Sequence, residues 1–213
     1  MTAVEQLRSQ VAATWDAAIK HRFVDELLAG TIADDVLGGY LAQDYQFFIY
    51  FLNEIGQALA SADTLEAKIR LGQQIGFVTN DEDAYFQLAF DKLGVPAAEQ
   101  RNPALKPATQ GFAELITRVV ETRDYKQIIL LLYVAETLYL DWAKRSAAEG
   151  LRPPRPEHYG WIDVHEGEQF RNWVSFLESE VNRVADPADP ALQALIRDAV
   201  QLEWQFFEDA YTA

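Results

Sequence analysis

The chain has 213 residues, 49% of them hydrophobic, and carries 33 acidic against 18 basic side chains for a formal charge of -15. Such a surface repels phosphate backbones and anionic lipid, which sets nucleic acid and membrane aside as partners. With no cysteine, disulfides, thiolate metal sites and a thiol nucleophile are excluded, and a cytoplasmic location is compatible.

No break in composition divides the sequence, so a single domain over 1-213 is expected. Apolar residues recur at a period near 3.6 almost everywhere and hardly ever alternate, which predicts an all-α chain. The opening stretch, MTAVEQLRSQVAATWDAAIK, is amphipathic and lacks the apolar block and cleavage site of a signal peptide. No run of about 18 uncharged apolar residues follows it. Helices are predicted at 2-29, 34-60, 62-93, 109-122, 124-147, 163-184 and 188-211. Gly30 ends the first, and Asp34 or Asp35 is placed to cap the second. Gly94 ends the third. The proline-bearing stretches 94-108 and 150-160 read as loops, because proline lacks an amide donor and restricts the residue before it. Asp189 is expected to cap the last helix, with Pro190 at its first position.

Three acids stand out on apolar helix faces. Asp44 shares a face with Tyr40, Phe47, Phe48 and Phe51, at minus four, plus three, plus four and plus seven. Glu136 has Leu132 and Tyr139 one turn to either side, and Glu203 shares a face with Val200, Phe206, Phe207 and Ala210. A carboxylate on such a face loses hydration, which raises its pKa toward the range useful for proton transfer. One acid alone would read as an ion-pair partner; three together point to a site.

Several familiar chemistries fail on the residues. The chain has no Gly-rich phosphate loop, no GxSxG and no HExxH. Its three histidines are His21, His158 and His165, and no glutamate stands three residues before any of them, so the helical di-iron pattern is missing and neither metal nor other cofactor is expected. His21 and His158 read as solvated. His165 lies among aromatics in YGWIDVHEGEQF, as a polar residue at a helix start.

Five blocks in order carry a family resemblance: YLAQDYQFF at 40-48, PATQGFAEL at 107-115, LYVAETLYLDWA at 132-143, YGWIDVHEGEQF at 159-170 and LEWQFFEDAY at 202-211. Together they make the chain similar to the TenA/thiaminase II family, and within it to the glutamate-type branch that lacks the catalytic cysteine. The resemblance implies a heme-oxygenase-like helical bundle, assembled as a homotetramer or dimer, with one deep pocket per subunit. It implies a hydrolase of thiamin salvage acting on aminomethyl- or formylaminomethyl-pyrimidine.

Matched position by position, Asp44 stands where the family aspartate hydrogen-bonds the aminopyrimidine, and Glu203 where an acid exchanges protons at the exocyclic methylene. Tyr139 matches a tyrosine beside the nucleophile and Phe206 an aromatic of the ring pocket. Ala135 occupies the nucleophile's position, and Glu136 beside it matches the glutamate of the other branch. Phe47, Phe112 and His165 replace tyrosines found in many members, so three hydroxyls are exchanged or lost. The expected catalytic set is Glu203, Glu136 and Tyr139, with Asp44, Phe47, Phe112, His165 and Phe206 binding substrate. The rival readings are a pyrimidine-binding protein without turnover and a regulatory protein of the same family.

Overall fold

The computed structural model describes residues 1–212. Among the described residues the regular structure is helical throughout, and the all-α expectation holds. The amino-terminal stretch expected as one helix is three: α1 Ala3–Ser9, α2 Ala12–Ile19 and α3 Arg22–Ala29. Thr2 and Glu5 form a capping box at the start of α1. The restart at α3 has a local cause. His21 adopts an extended conformation and its Nδ1 accepts the Phe23 amide, so the ring caps the new helix. Its Nε2 contacts Glu208 at 2.8 Å, and the residue is buried, which corrects the expectation of a solvated side chain.

The second predicted helix divides into α4 Asp34–Asp44 and α5 Phe47–Ser61. Tyr45 and Gln46 keep helical dihedrals, but the Gln46 amide donates to Gln43 O, three residues back, and Gln46 Nε2 donates to Ala42 O and Gln100 O. No proline or glycine marks this bend. Asp34 lies inside α4 and pairs with Arg155, leaving Ala33 as the N-cap. The third predicted helix is α6 Leu65–Phe77 and then, after a π-helical turn Val78–Glu82, α7 Asp83–Leu93. Thr79 Oγ1 and Asn80 Nδ2 donate to the carbonyls of Ile75 and Gly76, competing with the ordinary ladder where the turn widens.

Both expected loops contain helix. α8 Ala97–Arg101 lies within 94-108, and α9 Pro107–Thr122 begins earlier than predicted, with Pro107 in its first turn. After α10 Tyr125–Glu149, α11 Pro156–Glu166 starts inside the stretch 150-160. Pro156 sits where a missing amide costs nothing, so proline opens this helix rather than preventing it. Gly167 separates α11 from α12 Glu168–Val184, and α13 Pro190–Asp209 begins at the expected Asp189 cap. His158, also expected to be solvated, is fully buried in α11, with no hydrogen-bond partner on either ring nitrogen.

The long helix α10 organises the rest. Its buried residues, among them Ile128, Leu130, Leu132, Leu138 and Trp142, lie all around the helix, as a central element requires. α12, α13, α5, α2, α11 and α9 pack directly against it. α5, α9 and α13 also touch one another in the pairs α5–α9 and α9–α13, enclosing a space beside the middle of α10.

Candidate active site

That space is a cavity of about 110 Å³ walled by α4, α5, α9, α10, α11, α13 and the π-helical turn. All eight residues expected at a site line it: Asp44, Phe47, Phe112, Glu136, Tyr139, His165, Glu203 and Phe206. They come from six helices, so the chain must fold before any two of the three acids meet. Helical spacing explains the local geometry. Asp44 ends α4, and Phe47, Phe51 and Glu54 follow on one face of α5 at i, i+4 and i+7. Ala135, Glu136 and Tyr139 look in from α10, and Trp161 and His165 are one turn apart on α11.

The aromatic walls are edge-on to one another. Phe47 meets Phe112 with ring centroids 5.7 Å apart at 76° and Phe206 at 5.3 Å and 65°, an arrangement that leaves flat faces for a planar ring. Tyr139 shares a short 2.5 Å contact between hydroxyl oxygens with Tyr40, a buried residue behind the cavity wall. His165 does not begin its helix, as the sequence suggested, but lies in the last turn of α11. Its Nδ1 donates to the Trp161 carbonyl at 2.8 Å, so Nε2 is left as an acceptor. Burial pushes the ring's pKa down to about 4, so it is neutral.

Five carboxyl groups face this space. Burial raises the pKa of Asp44, with the Glu82 carboxylate adding to the rise. Burial also raises Glu203, reinforced by Asp44 and Glu136. Glu136 is pushed up to about 8 by burial and then by Glu82, against the weaker pulls of the Trp173 indole and of Arg70, and Glu82 to about 7 by burial. Glu54, 2% exposed, is raised by burial and by Glu136. The cavity therefore holds protons near neutral pH and has acids at several points around its walls. That is the equipment for general acid and base work on a bound ring. Among the described residues, no group of three His, Asp or Glu side chains is arranged to hold a metal ion.

Glu54, Glu82 and Trp161 were not expected at the site. Glu54 was within reach of the sequence, since it continues the Phe47 and Phe51 face. Trp161 needed α11 to begin at Pro156, and Glu82 needed the π-helical turn, whose extra residue per turn rotates it out of the α-helical register.

The TENA/THI-4/PQQC family model matches residues 8–213. A relative from Bacillus subtilis named aminopyrimidine aminohydrolase is 22% identical over 211 residues, covering 97% of this chain and 89% of its own length. Among solved structures, a TenA homologue protein from P. horikoshii superposes with a TM-score of 0.89 at 14% identity, covering 99% of both chains. A domain of unknown function from Shewanella denitrificans, described as having a heme oxygenase-like fold, superposes with a TM-score of 0.68 at 16% identity over 98% of this chain and 91% of that one. The fold is thus the heme-oxygenase-like helical bundle expected from the sequence.

Proposed function

The chain belongs to the TENA/THI-4/PQQC family, and from that premise we propose that it is a hydrolase of thiamin salvage acting on aminomethyl- or formylaminomethyl-pyrimidine. The B. subtilis relative's name, aminopyrimidine aminohydrolase, supports this substrate class. The observation that carries the reading is the meeting of Asp44, Glu136 and Glu203, from three separate helices, around one aromatic cavity.

In the hydrolysis of an aminomethyl-pyrimidine, the carbon–nitrogen bond at the exocyclic methylene breaks and a carbon–oxygen bond to water forms. The leaving nitrogen must depart protonated and the attacking water must lose a proton. Glu136 and Glu203 divide those two tasks, one keeping the leaving nitrogen protonated and the other taking the water's proton. Both have pKa values raised by burial, so a proton is available near neutral pH. Asp44 holds the amino group and a ring nitrogen of the pyrimidine, while Phe47, Phe112 and Phe206 sandwich its faces. Stacking of this kind contributes about 0.5–1.5 kcal/mol per pair beyond the buried area. Tyr139, held by Tyr40, presents a hydroxyl to the reacting end, and His165 offers a neutral acceptor. Ala135 lines the cavity beside Glu136 and has no nucleophile to offer, so the route is carboxylate chemistry of the glutamate-type branch.

The same reading includes a cytoplasmic location and assembly as a tetramer or dimer. Ile49, Leu65 and Ile69, large apolar side chains left exposed, are surface that subunit contacts would cover.

The test is to incubate the purified chain with aminomethyl- and formylaminomethyl-pyrimidine and follow ammonia, formate and the pyrimidine product by mass spectrometry. Product release with slow cleavage of intact thiamin is expected. Rapid thiamin cleavage would overturn the carboxylate route, and tight binding without product would leave a binding protein.

A further inference from the structure

Glu54 has no part in the reaction above, yet its carboxyl lies in the wall of the same cavity. It is 2% exposed and its Oε1 has no hydrogen-bond partner. A buried carboxyl without a partner is costly, and a leucine of similar size would pack there at no such cost. Such a group calls for a reason, and in a cavity wall a bound ligand that completes it is one.

The charge around Glu54 narrows what that something is. Asp44, Glu82, Glu136 and Glu203 share the cavity, and among the described residues no lysine or arginine lines it. Arg70, whose field reaches Glu136, stands outside the lining. His165, the lining base, is neutral, and Tyr139 is a neutral phenol whose ionisation burial pushes upward. Nothing in the wall compensates an ionised acid, so without a ligand these carboxyls keep their protons, and one of them ionises only when a positive charge arrives beside it. Glu136 raises both Glu54 and Glu203, while Asp44 adds to Glu203 and not to Glu54. Asp44 ends α4 and Glu54 lies two turns beyond Phe47 on α5, so these two acids stand apart along the cavity wall.

We propose that Glu54, backed by Glu136, is the specificity residue that receives a cationic substituent on the bound ring, so that of the two substrates named above the pocket favours the alkylammonium-bearing one over the neutral formylaminomethyl compound, and disfavours phosphorylated counterparts. The proposal rests on the aminopyrimidine reading of the site. A desolvated ammonium recovers its lost hydration only beside an ionised carboxylate, and a phosphate among five acids has no partner at all. Hydrolysis then replaces the cation by a neutral alcohol, which loses the Glu54 contact and leaves more readily.

The test uses aminoethyl- and hydroxyethyl-pyrimidine, which carry no leaving group on the carbon next to the ring and stay intact during titration. Hydroxymethyl-pyrimidine serves as the control for the pocket itself. Calorimetry on the unaltered chain should show the ammonium ligand binding at least about tenfold tighter than its alcohol, the scale of one charge-assisted contact. In Glu54→Gln the preference should fall to within about threefold with the alcohol's affinity unchanged. Repeating the ammonium titration in two buffers of different ionisation enthalpy should reveal proton release, as a carboxyl ionises to meet the cation; this arm needs no variant. Equal affinities for the pair, a preference that survives in folded Glu54→Gln, or binding without proton release overturns the proposal and leaves the pyrimidine reading standing. No binding of hydroxymethyl-pyrimidine overturns both.

Discussion

The phenolic oxygens of Tyr40 and Tyr139 lie 2.5 Å apart, with Tyr139 facing the cavity and Tyr40 behind it. Tyr40 therefore positions a hydroxyl that it does not itself present to a ligand. Tyr40→Phe should cost about 1 kcal/mol of stability, the usual net worth of one hydrogen bond, and lower turnover a few-fold. Tyr139→Phe removes the hydroxyl from the cavity and should lower kcat by roughly tenfold or more. Thermal unfolding and steady-state kinetics on the two variants separate the roles. Equal loss of kcat in both would mean that the two hydroxyls act as one unit rather than as a group and its support.

Glu136→Gln and Glu203→Gln keep volume and remove proton transfer. Each should lower kcat about a hundredfold, the usual scale for losing acid or base assistance, with the fold intact. Circular dichroism alongside kinetics checks both halves. Full turnover in either variant would reduce that residue to a wall of the cavity.

The cavity residues were legible because most sit on α-helical faces whose period is visible in the sequence. Phe47, Glu136 and Phe206 could be placed facing inward from spacing alone, and the family blocks joined helices that spacing could not bring together. Breaks in the helices were less legible. The Tyr45–Gln46 bend has no proline or glycine, and what accompanies it is a pair of bonds from the Gln46 side chain, one to the Ala42 carbonyl and one, tertiary, to the Gln100 carbonyl. The π-helical turn likewise depends on Thr79 and Asn80 bonding backward, which no apolar pattern records. Glu82 went unseen for that reason. Pro156 misled in the opposite direction, since a proline that opens a helix looks like one that forbids it.

The buried acids also set the pH dependence of stability. Glu136 ionises near 4.5 when unfolded and near 8 when folded, and Glu82 shifts from 4.5 to about 7. Between those values the folded state binds a proton that the unfolded state has released, so stability falls as pH rises, by about 1.4 kcal/mol per pH unit for each such group. His158 and His165 act in the opposite sense, but only below their unfolded value of 6.5. The clean window is therefore pH 6.5 to 8, where the melting temperature should decline. Glu136→Gln should raise the melting temperature at pH 8 and change it little at pH 5. A flat wild-type profile across that window would mean the acids are solvated.

Asp44 separates recognition from chemistry. Hydrogen bonds to the amino group and a ring nitrogen exist in ground and transition states alike, so losing them should weaken binding before it slows the chemical step. Asp44→Ala removes both oxygens and should cost on the order of 1.5–3 kcal/mol, or roughly ten- to a hundredfold in affinity for hydroxymethyl-pyrimidine. Asp44→Asn keeps one donor and one acceptor in the same place, and differs from a protonated aspartate only in being unable to pass a proton to the ring. Its affinity should fall between the other two, and the gap between Asn and Asp measures how much the contact depends on charge. Calorimetric titration of all three, each checked for folding by its melting temperature, gives the series. Unchanged affinity in a folded Asp44→Ala protein would move the ring edge to another part of the cavity.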